Sequence, residues 1–123
     1  MCRDMGVGLI PYSPLARGLL AGTRERDGRS HTTRASDIRR PDRPADFDVQ
    51  DAVRKVAAQR GAPAASIALA WLIGQPGVVA PIVGATGEHH LDDAVSALSI
   101  ALNRDEQTAL ENPYLPRLRT DYT

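Results

Sequence analysis

Two short, unbroken apolar runs, VGLIPY at residues 7–12 and VVAPIV at residues 78–83, limit what this chain can fold into more than any other feature. Each is apolar on both faces apart from Gly8, and each is shorter than an ordinary helix. That is the pattern of a strand covered on both sides in a parallel sheet. Parallel strands cannot be joined by a tight hairpin, because the second must start at the same end as the first. The chain between them has to cross back over the sheet. Pro11 falls near the end of the first run, where a missing N–H is tolerated, and Pro81 interrupts the second.

The crossover is written in helical spacing. Asp48 can cap a helix in which Val49, Ala52, Val53, Val56 and Ala57 share one face, with Arg54, Lys55, Gln59 and Arg60 elsewhere and Gly61 at its end. Pro63 suits the first turn of a second helix containing Ile67, Trp71 and Ile73, which Gly74 and Pro76 stop. After the second run, Gly84, Ala85 and Thr86 turn the chain into a third helix with Leu91, Ala94, Val95 and Leu98 on one face. A capping box, Asn103 with Glu106, opens a fourth helix reaching about Glu111, and NPYLPRLRTDYT reads as irregular. Residues 2–6, CRDMG, read either as the last turn of a helix closed by glycine or as a frayed start. Strand, loop, helix, helix, strand, helix, helix is the order of a βαβ unit with two helices after it.

Residues 21–47 differ in kind, with seven arginines, five acidic residues, no periodicity and no aromatic before Phe47. They read as a long, flexible, solvated loop. Without aromatic platforms among its arginines, this loop makes a poor nucleic-acid surface. Across the chain, 15 basic residues balance 15 acidic ones, so no net field draws it to nucleic acid or to an anionic membrane. No apolar run approaches the roughly 20 residues that span a bilayer. The opening MCRDMGVG lacks the apolar core of a secretory signal. The single cysteine, Cys2, excludes a disulfide framework and fits a reducing compartment. The expectation is a cytoplasmic protein with neither nucleic acid nor membrane as a partner.

In parallel α/β folds, ligands sit at the carboxyl ends of the strands. The first run ends in Tyr12, Ser13 and a turn from Leu15 to Gly18. The second ends in Gly84, Ala85 and Thr86, ahead of a helix N-terminus whose unpaired N–H groups and dipole favour an anion. Tyr12 can lie against a planar ligand or serve as a core aromatic, and Thr86 can meet an anion or only cap the helix. His89 and His90 are neighbours on a helix and point apart, so they do not make a metal pair.

The longer pattern carries more. GVGLIPYSPLARGLLAG resembles the segment around the seventh strand of aldo-keto reductases. ASIALAWLIGQPGVVAPIVGATGEHHLDDAVSAL resembles their last barrel helix, eighth strand and cofactor helix, and LNRDEQTALENPYLPR their C-terminal helix and tail. The resemblance covers nearly the whole chain. It implies an α/β fold, a partial (β/α)8 TIM barrel: a C-terminal fragment with two parallel strands and about four helices. Residues 1–123 would then be the C-terminal part of an NAD(P)-dependent oxidoreductase domain. The activity implied is reduction of aldehydes and ketones with NADPH or NADH, without a metal. By the same resemblance, Tyr12 would stack on the nicotinamide ring. Ser13, Leu15 and Gly18 would contact the pyrophosphate, with Arg17 nearby. Gly84, Ala85 and Thr86 would meet the adenosine phosphate, His90 would face the same end, and the arginine-rich loop would fold over the cofactor.

The chain also departs from the pattern. Related sequences often carry arginine or lysine near Thr86 and Gly87, arginine or glutamine at the position of His90, and asparagine at that of Ala94. Here no fixed positive charge is present, and Glu88 is close by. A 2′-phosphate normally calls for Arg or Lys, so NADPH is not favoured over NADH. The family's catalytic aspartate, tyrosine, lysine and histidine lie on earlier strands. Tyr12, Tyr114 and Tyr122 sit in other contexts, and the only lysine, Lys55, belongs to an outer helix. No catalytic residue is assigned, and the chain alone is expected to be inactive. The alternative is a non-enzymatic half-barrel that pairs with another chain or with itself, because two strands leave apolar faces uncovered. A bare nucleotide binder is a third option, with weak or no binding expected.

Overall fold

The segment AASIALAWLI carries a single hydroxyl, so a helix built from it has no face to give to water. It forms α2, Ala64–Ile73, with residues 65–70 all buried. The computed structural model describes residues 1–27, 29 and 42–116. Within them, α1 (Pro44–Arg60) and α3 (Glu88–Ala97) flank α2, and α4 (Arg104–Glu111) packs on α1. Val53, Val56 and Ala57 of α1 meet Ile67, Ala68 and Leu110 in one cluster, so the later part of the apolar stripe read from spacing is buried, while Val49 and Ala52 are half-buried. Trp71 Nε1 donates to Glu111 Oε1 at 2.9 Å and joins α2 to α4.

The helix ends correct several expectations. α1 begins before Asp48: Arg43 is its N-cap, Pro44 its first residue, and the Arg43 N–H donates to Asp46 Oδ2 at 2.8 Å. Asp48 lies inside the helix and accepts from Arg26 instead. The expected loop at 21–47 is therefore divided, because residues 44–47 belong to α1 and Phe47 is buried. Residues 28, 30–41 and 117–123 lie outside the described residues. Pro63 is the N-cap of α2 rather than part of its first turn. α4 has the box expected of it: Asn103 Oδ1 accepts from the Glu106 N–H (2.9 Å), and Glu106 Oε2 accepts from the Asn103 N–H (2.8 Å). Arg60, at the end of α1, grips the same carboxylate through Nε at 2.6 Å and Nη2 at 2.7 Å. The Arg60 guanidinium, and then the Asn103 amide, hold the Glu106 carboxyl below the ordinary glutamate range.

The two apolar runs pair in parallel, but not as two continuous strands. Among the described residues they make two isolated bridges, Leu9 with Val78 and Tyr12 with Ile82. Proline chemistry explains the break. Around Leu9 both ladder bonds form: the Leu9 N–H donates to Gly77 O (2.8 Å) and the Val79 N–H to Leu9 O (2.9 Å). The next rung would need the N–H groups of Pro11 and Pro81, and neither exists. Pairing resumes one residue out of register, where the Ile82 N–H donates to Pro11 O at 2.8 Å. Gly8 is needed for the close approach, since a Cβ there would collide with Val79 Cγ2.

Nor are the runs covered on both sides within this chain. Val83 packs toward Leu69, Ala70 and Ala97, while Ile10, Tyr12, Val79 and Ile82 are exposed. α3 shows the same imbalance. Leu91, Val95 and Leu98 share a face, as their spacing requires, but they are 55%, 65% and 71% exposed. The helix approaches α2 through small groups instead: Ser66 Oγ donates to Asp93 O (2.8 Å) and lies 2.9 Å from Ser96 Oγ. At the start of the chain, the CRDMG stretch has the bonding of a helix end. The Val7 N–H reaches Cys2 O (2.9 Å), the Gly6 N–H reaches Arg3 O (3.2 Å), and Gly6 takes the left-handed conformation (φ +67°).

Candidate functional site

Because the Tyr12–Ile82 bridge is parallel, both chains leave it at the same end. Residues 13–18 follow one member of the bridge and residues 84–87 the other. Adjacent strands lie roughly 5 Å apart, so the two turns begin as neighbours. Tyr12 itself is 79% exposed, so within this chain it is not a core aromatic.

The first turn is strained. Ser13, Ala16 and Arg17 all have positive φ (51°, 49° and 54°), ahead of Gly18 at 93°. Side-chain-bearing residues in this region cost on the order of 1 kcal/mol each and persist only where their surroundings impose them. Here the surroundings are explicit. The Ala16 N–H donates to Ser13 O (3.0 Å) and the Gly18 N–H to Leu15 O (3.1 Å), forming a 3-10 turn at Ala16–Gly18. Leu15 packs against both core clusters, so the middle of the turn is nailed to the helices while Ser13, Ala16 and Arg17 stay exposed.

The chain after this turn is held on α1 by polar side chains. Buried Gln50 donates from Nε2 to Leu19 O (2.7 Å) and to Arg24 O (2.9 Å). Arg54 donates to Gly22 O at 3.1 Å, and Arg24 forms an ion pair with Asp42. Arg26 donates to Asp48 (2.8 Å) and Asp51 (2.7 Å), with its guanidinium carbon 5.6 Å from the centre of the Phe47 ring. Sequence reasoning read Asp48 as a helix cap and the loop arginines as lying over the cofactor, and foresaw none of these contacts with α1. Gln50 did carry a signal: it sits three residues before Val53 and seven before Ala57, inside the apolar stripe, where an amide must find partners.

The second turn is open. Gly84, Ala85 and Thr86 are exposed, and Gly87, not Thr86, is the N-cap of α3, with no side chain capping the helix. Thr86 gives its N–H to His90 Nδ1 at 3.1 Å. His90 therefore contacts this turn as a hydrogen-bond acceptor. Glu88 is the acidic residue of the first helical turn, and Gly84 to Ala94 contains no lysine or arginine. A cleft of about 520 Å³ lined by Met1, Cys2, Arg3, Asp4, Leu9 and Pro76 lies at the opposite end of the paired runs. Among the described residues no three His, Cys, Asp or Glu side chains gather to hold a metal, and no single helix is long and apolar enough to cross a membrane.

Comparison with known proteins decides the kinship, because the model of the aldo/keto reductase family matches residues 1–113. This chain belongs to the aldo/keto reductase family. It is 37% identical over 116 residues to the aldo-keto reductase AMT2 of Alternaria alternata, covering 92% of this chain and 30% of that protein. With the versiconal hemiacetal acetate reductase of Aspergillus parasiticus it shares 35% identity over 122 residues, 94% of this chain and 35% of the relative. Among solved structures it is similar to a thermostable aldo-keto reductase (Tm1743) in complex with the inhibitor epalrestat. That match has a TM-score of 0.61 and 28% identity and covers 92% of this chain and 32% of the other. The glycerol dehydrogenase AKR11B4 of Gluconobacter oxydans matches in fold, with a TM-score of 0.71 at 22% identity over 91% of this chain and 35% of that one. The structural neighbours are TIM barrels, and the chain spans about a third of the length of these relatives. Members of the family are oxidoreductases that use NAD(P)H.

Proposed function

We propose that this aldo/keto reductase chain carries the dinucleotide-binding end of the enzyme without the groups that perform the chemistry. One observation carries the reading: the parallel Tyr12–Ile82 bridge sends the strained turn at 13–18 and the open turn at 84–87 out of the same end. Strain of this kind is found where a chain must present its backbone to a ligand. In this reading Tyr12 lies against the nicotinamide, and Ser13, Leu15 and Gly18, with Arg17 nearby, meet the pyrophosphate. Gly84, Ala85 and Thr86 take the adenosine phosphate at the mouth of α3, whose dipole favours an anion. The exposure of Tyr12, Ser13, Gly84, Ala85 and Thr86 fits that use. The dinucleotide, when bound, supplies a hydride; the residues here bind and orient it. With no fixed cation between Gly84 and Ala94 and with Glu88 close by, no preference for the 2′-phosphate of NADPH is expected.

Binding by the chain alone should be weak. Following nicotinamide fluorescence during an NADH titration tests the site, with Gly84→Asp as the probe. A carboxylate placed where the phosphate belongs should remove what binding there is. Equal titrations for the variant and the parent chain would refute the assignment of this turn.

The uncovered apolar side chains favour a second reading, a half-barrel that pairs with another polypeptide or with itself. Ile10, Val79 and Ile82 on the paired runs and Leu91, Val95 and Leu98 on α3 are all exposed. Sedimentation velocity should then show concentration-dependent association that Val95→Lys with Leu98→Lys weakens. A parent chain that stays monomeric, with cooperative unfolding, would remove this reading.

A further inference from the structure

Among the described residues, three of the four α-helices share a device at their N-termini: the third residue of the helix reaches back to an amide ahead of it. In α1 Asp46 accepts from the Arg43 N–H, and in α4 Glu106 accepts from the Asn103 N–H, each at 2.8 Å. Both are carboxylates acting on the N-cap amide, as in an ordinary capping box. In α3 the third residue is His90. Its Nδ1 accepts from the Thr86 N–H at 3.1 Å, and Thr86 Oγ1 lies 3.4 Å from the same nitrogen. The imidazole thus reaches one residue further out than the carboxylates do. It spans the N-cap, Gly87, and ties down the turn in front of the helix.

The surroundings leave this ring in charge of the turn. Gly87 has no side chain to cap α3, and a Cβ there would sit only 3.1 Å from His89 Cε1 and Nδ1. The His89 and His90 ring centres are 4.1 Å apart. Gly84 and Ala85 are exposed and carry nothing larger than a methyl group, so they depend on backbone restraints, of which the bond at Thr86 is one.

We propose that His90 is the positioning residue of the turn at 84–87, its unprotonated Nδ1 fixing the Thr86 amide and so the shape that the turn presents at the mouth of α3. The ligand side of this inference rests on the reading of that turn as the adenosine-phosphate end. The choice of imidazole has a chemical reason. An N–H can donate only to a ring nitrogen that holds a lone pair, so the proton of the neutral ring is on Nε2. A carboxylate at the same place would restrain the turn but repel a phosphate, whereas a neutral acceptor restrains it without repulsion.

Two variants of the full chain separate the acceptor from the bulk of the side chain. His90→Asn keeps an acceptor, since Oδ1 is attached to Cγ as Nδ1 is. His90→Leu keeps the size and removes the acceptor. Nitrogen-15 NMR above the imidazole titration range should show the Nε2–H tautomer in the parent chain. The Thr86 amide should exchange with solvent roughly tenfold faster in His90→Leu and at nearly the parent rate in His90→Asn. An Nδ1–H tautomer, or a Thr86 amide as protected in His90→Leu as in the parent, overturns the lock. Neither measurement uses a nucleotide, so the lock is decided even if the parent chain binds no NADH, an outcome that would defeat the proposed function instead. With NADH present, His90→Leu should raise Kd by roughly five- to tenfold and His90→Asn by less than about twofold. An unchanged Kd in His90→Leu overturns the positioning role.

Discussion

Incubated with a dicarbonyl substrate and NADPH, the 123-residue chain is expected to consume no cofactor above the uncatalysed background. Carbonyl reduction needs a proton delivered to the oxygen as hydride arrives at carbon, and a positioned acid is worth roughly 10²- to 10⁴-fold. Among the described residues, no side chain at the candidate site is assigned that place. Tyr12 is assigned to the nicotinamide face, Lys55 lies on the exposed side of α1, and Tyr114 follows α4, remote in sequence from either turn. The loss should exceed the acid's share alone, because the chain spans about a third of its relatives and a closed site that excludes water adds to the rate beyond the acid. Absorbance at the reduced-nicotinamide band checks this directly. A turnover number in the ordinary range for enzymes would mean that a proton donor has been overlooked.

Ile67→Ala should have the largest effect on stability. Ile67 is completely buried and clusters with Val53, Val56 and Ala57 of α1 and Leu110 of α4, so one side chain joins three helices. Truncating a fully packed isoleucine costs about 2–5 kcal/mol through lost transfer energy and an unfilled cavity. Small domains are only marginally stable, so a loss of that size should leave much of the chain unfolded at ordinary temperature. Leu91→Ala is the matched control. It also removes a branched aliphatic side chain from a helix, but one that is 55% exposed, and its effect should stay within about 0.5 kcal/mol. Urea unfolding followed by Trp71 fluorescence compares the two. Similar midpoints for both variants would show that α2 is not the centre of the fold.

The helices were legible in the sequence because their signals are local. The stripe of Val53, Val56 and Ala57 and the box of Asn103 and Glu106 each lie within a few residues, and both are found as read. The start of α1 was missed because its cap is unusual: Arg43 offers only its backbone, and Asp46, inside the helix, supplies the acceptor. Strand continuity failed for a reason that appears only once a register is known. Pro11 and Pro81 are tolerable singly, yet parallel pairing through Leu9 and Val78 sets both at the same rung. The apolar spacing of Leu91, Val95 and Leu98 defined a face but could not say whether anything in this chain covers it. Of the candidate site, the residue types were visible, but the strain at Ser13, Ala16 and Arg17 and the acceptor role of His90 were not. Both depend on contacts between residues whose side chains could have pointed elsewhere.

The central claim, that the turns at 13–18 and 84–87 grip one dinucleotide, is tested most directly by mapping amide shifts of the labelled chain as NADH is added to high concentration. The account predicts small, saturable shifts in both turns and at His90, with the residues around Cys2 and Pro76 unmoved. Shifts confined to the Cys2 cleft, or in one turn without the other, would contradict it.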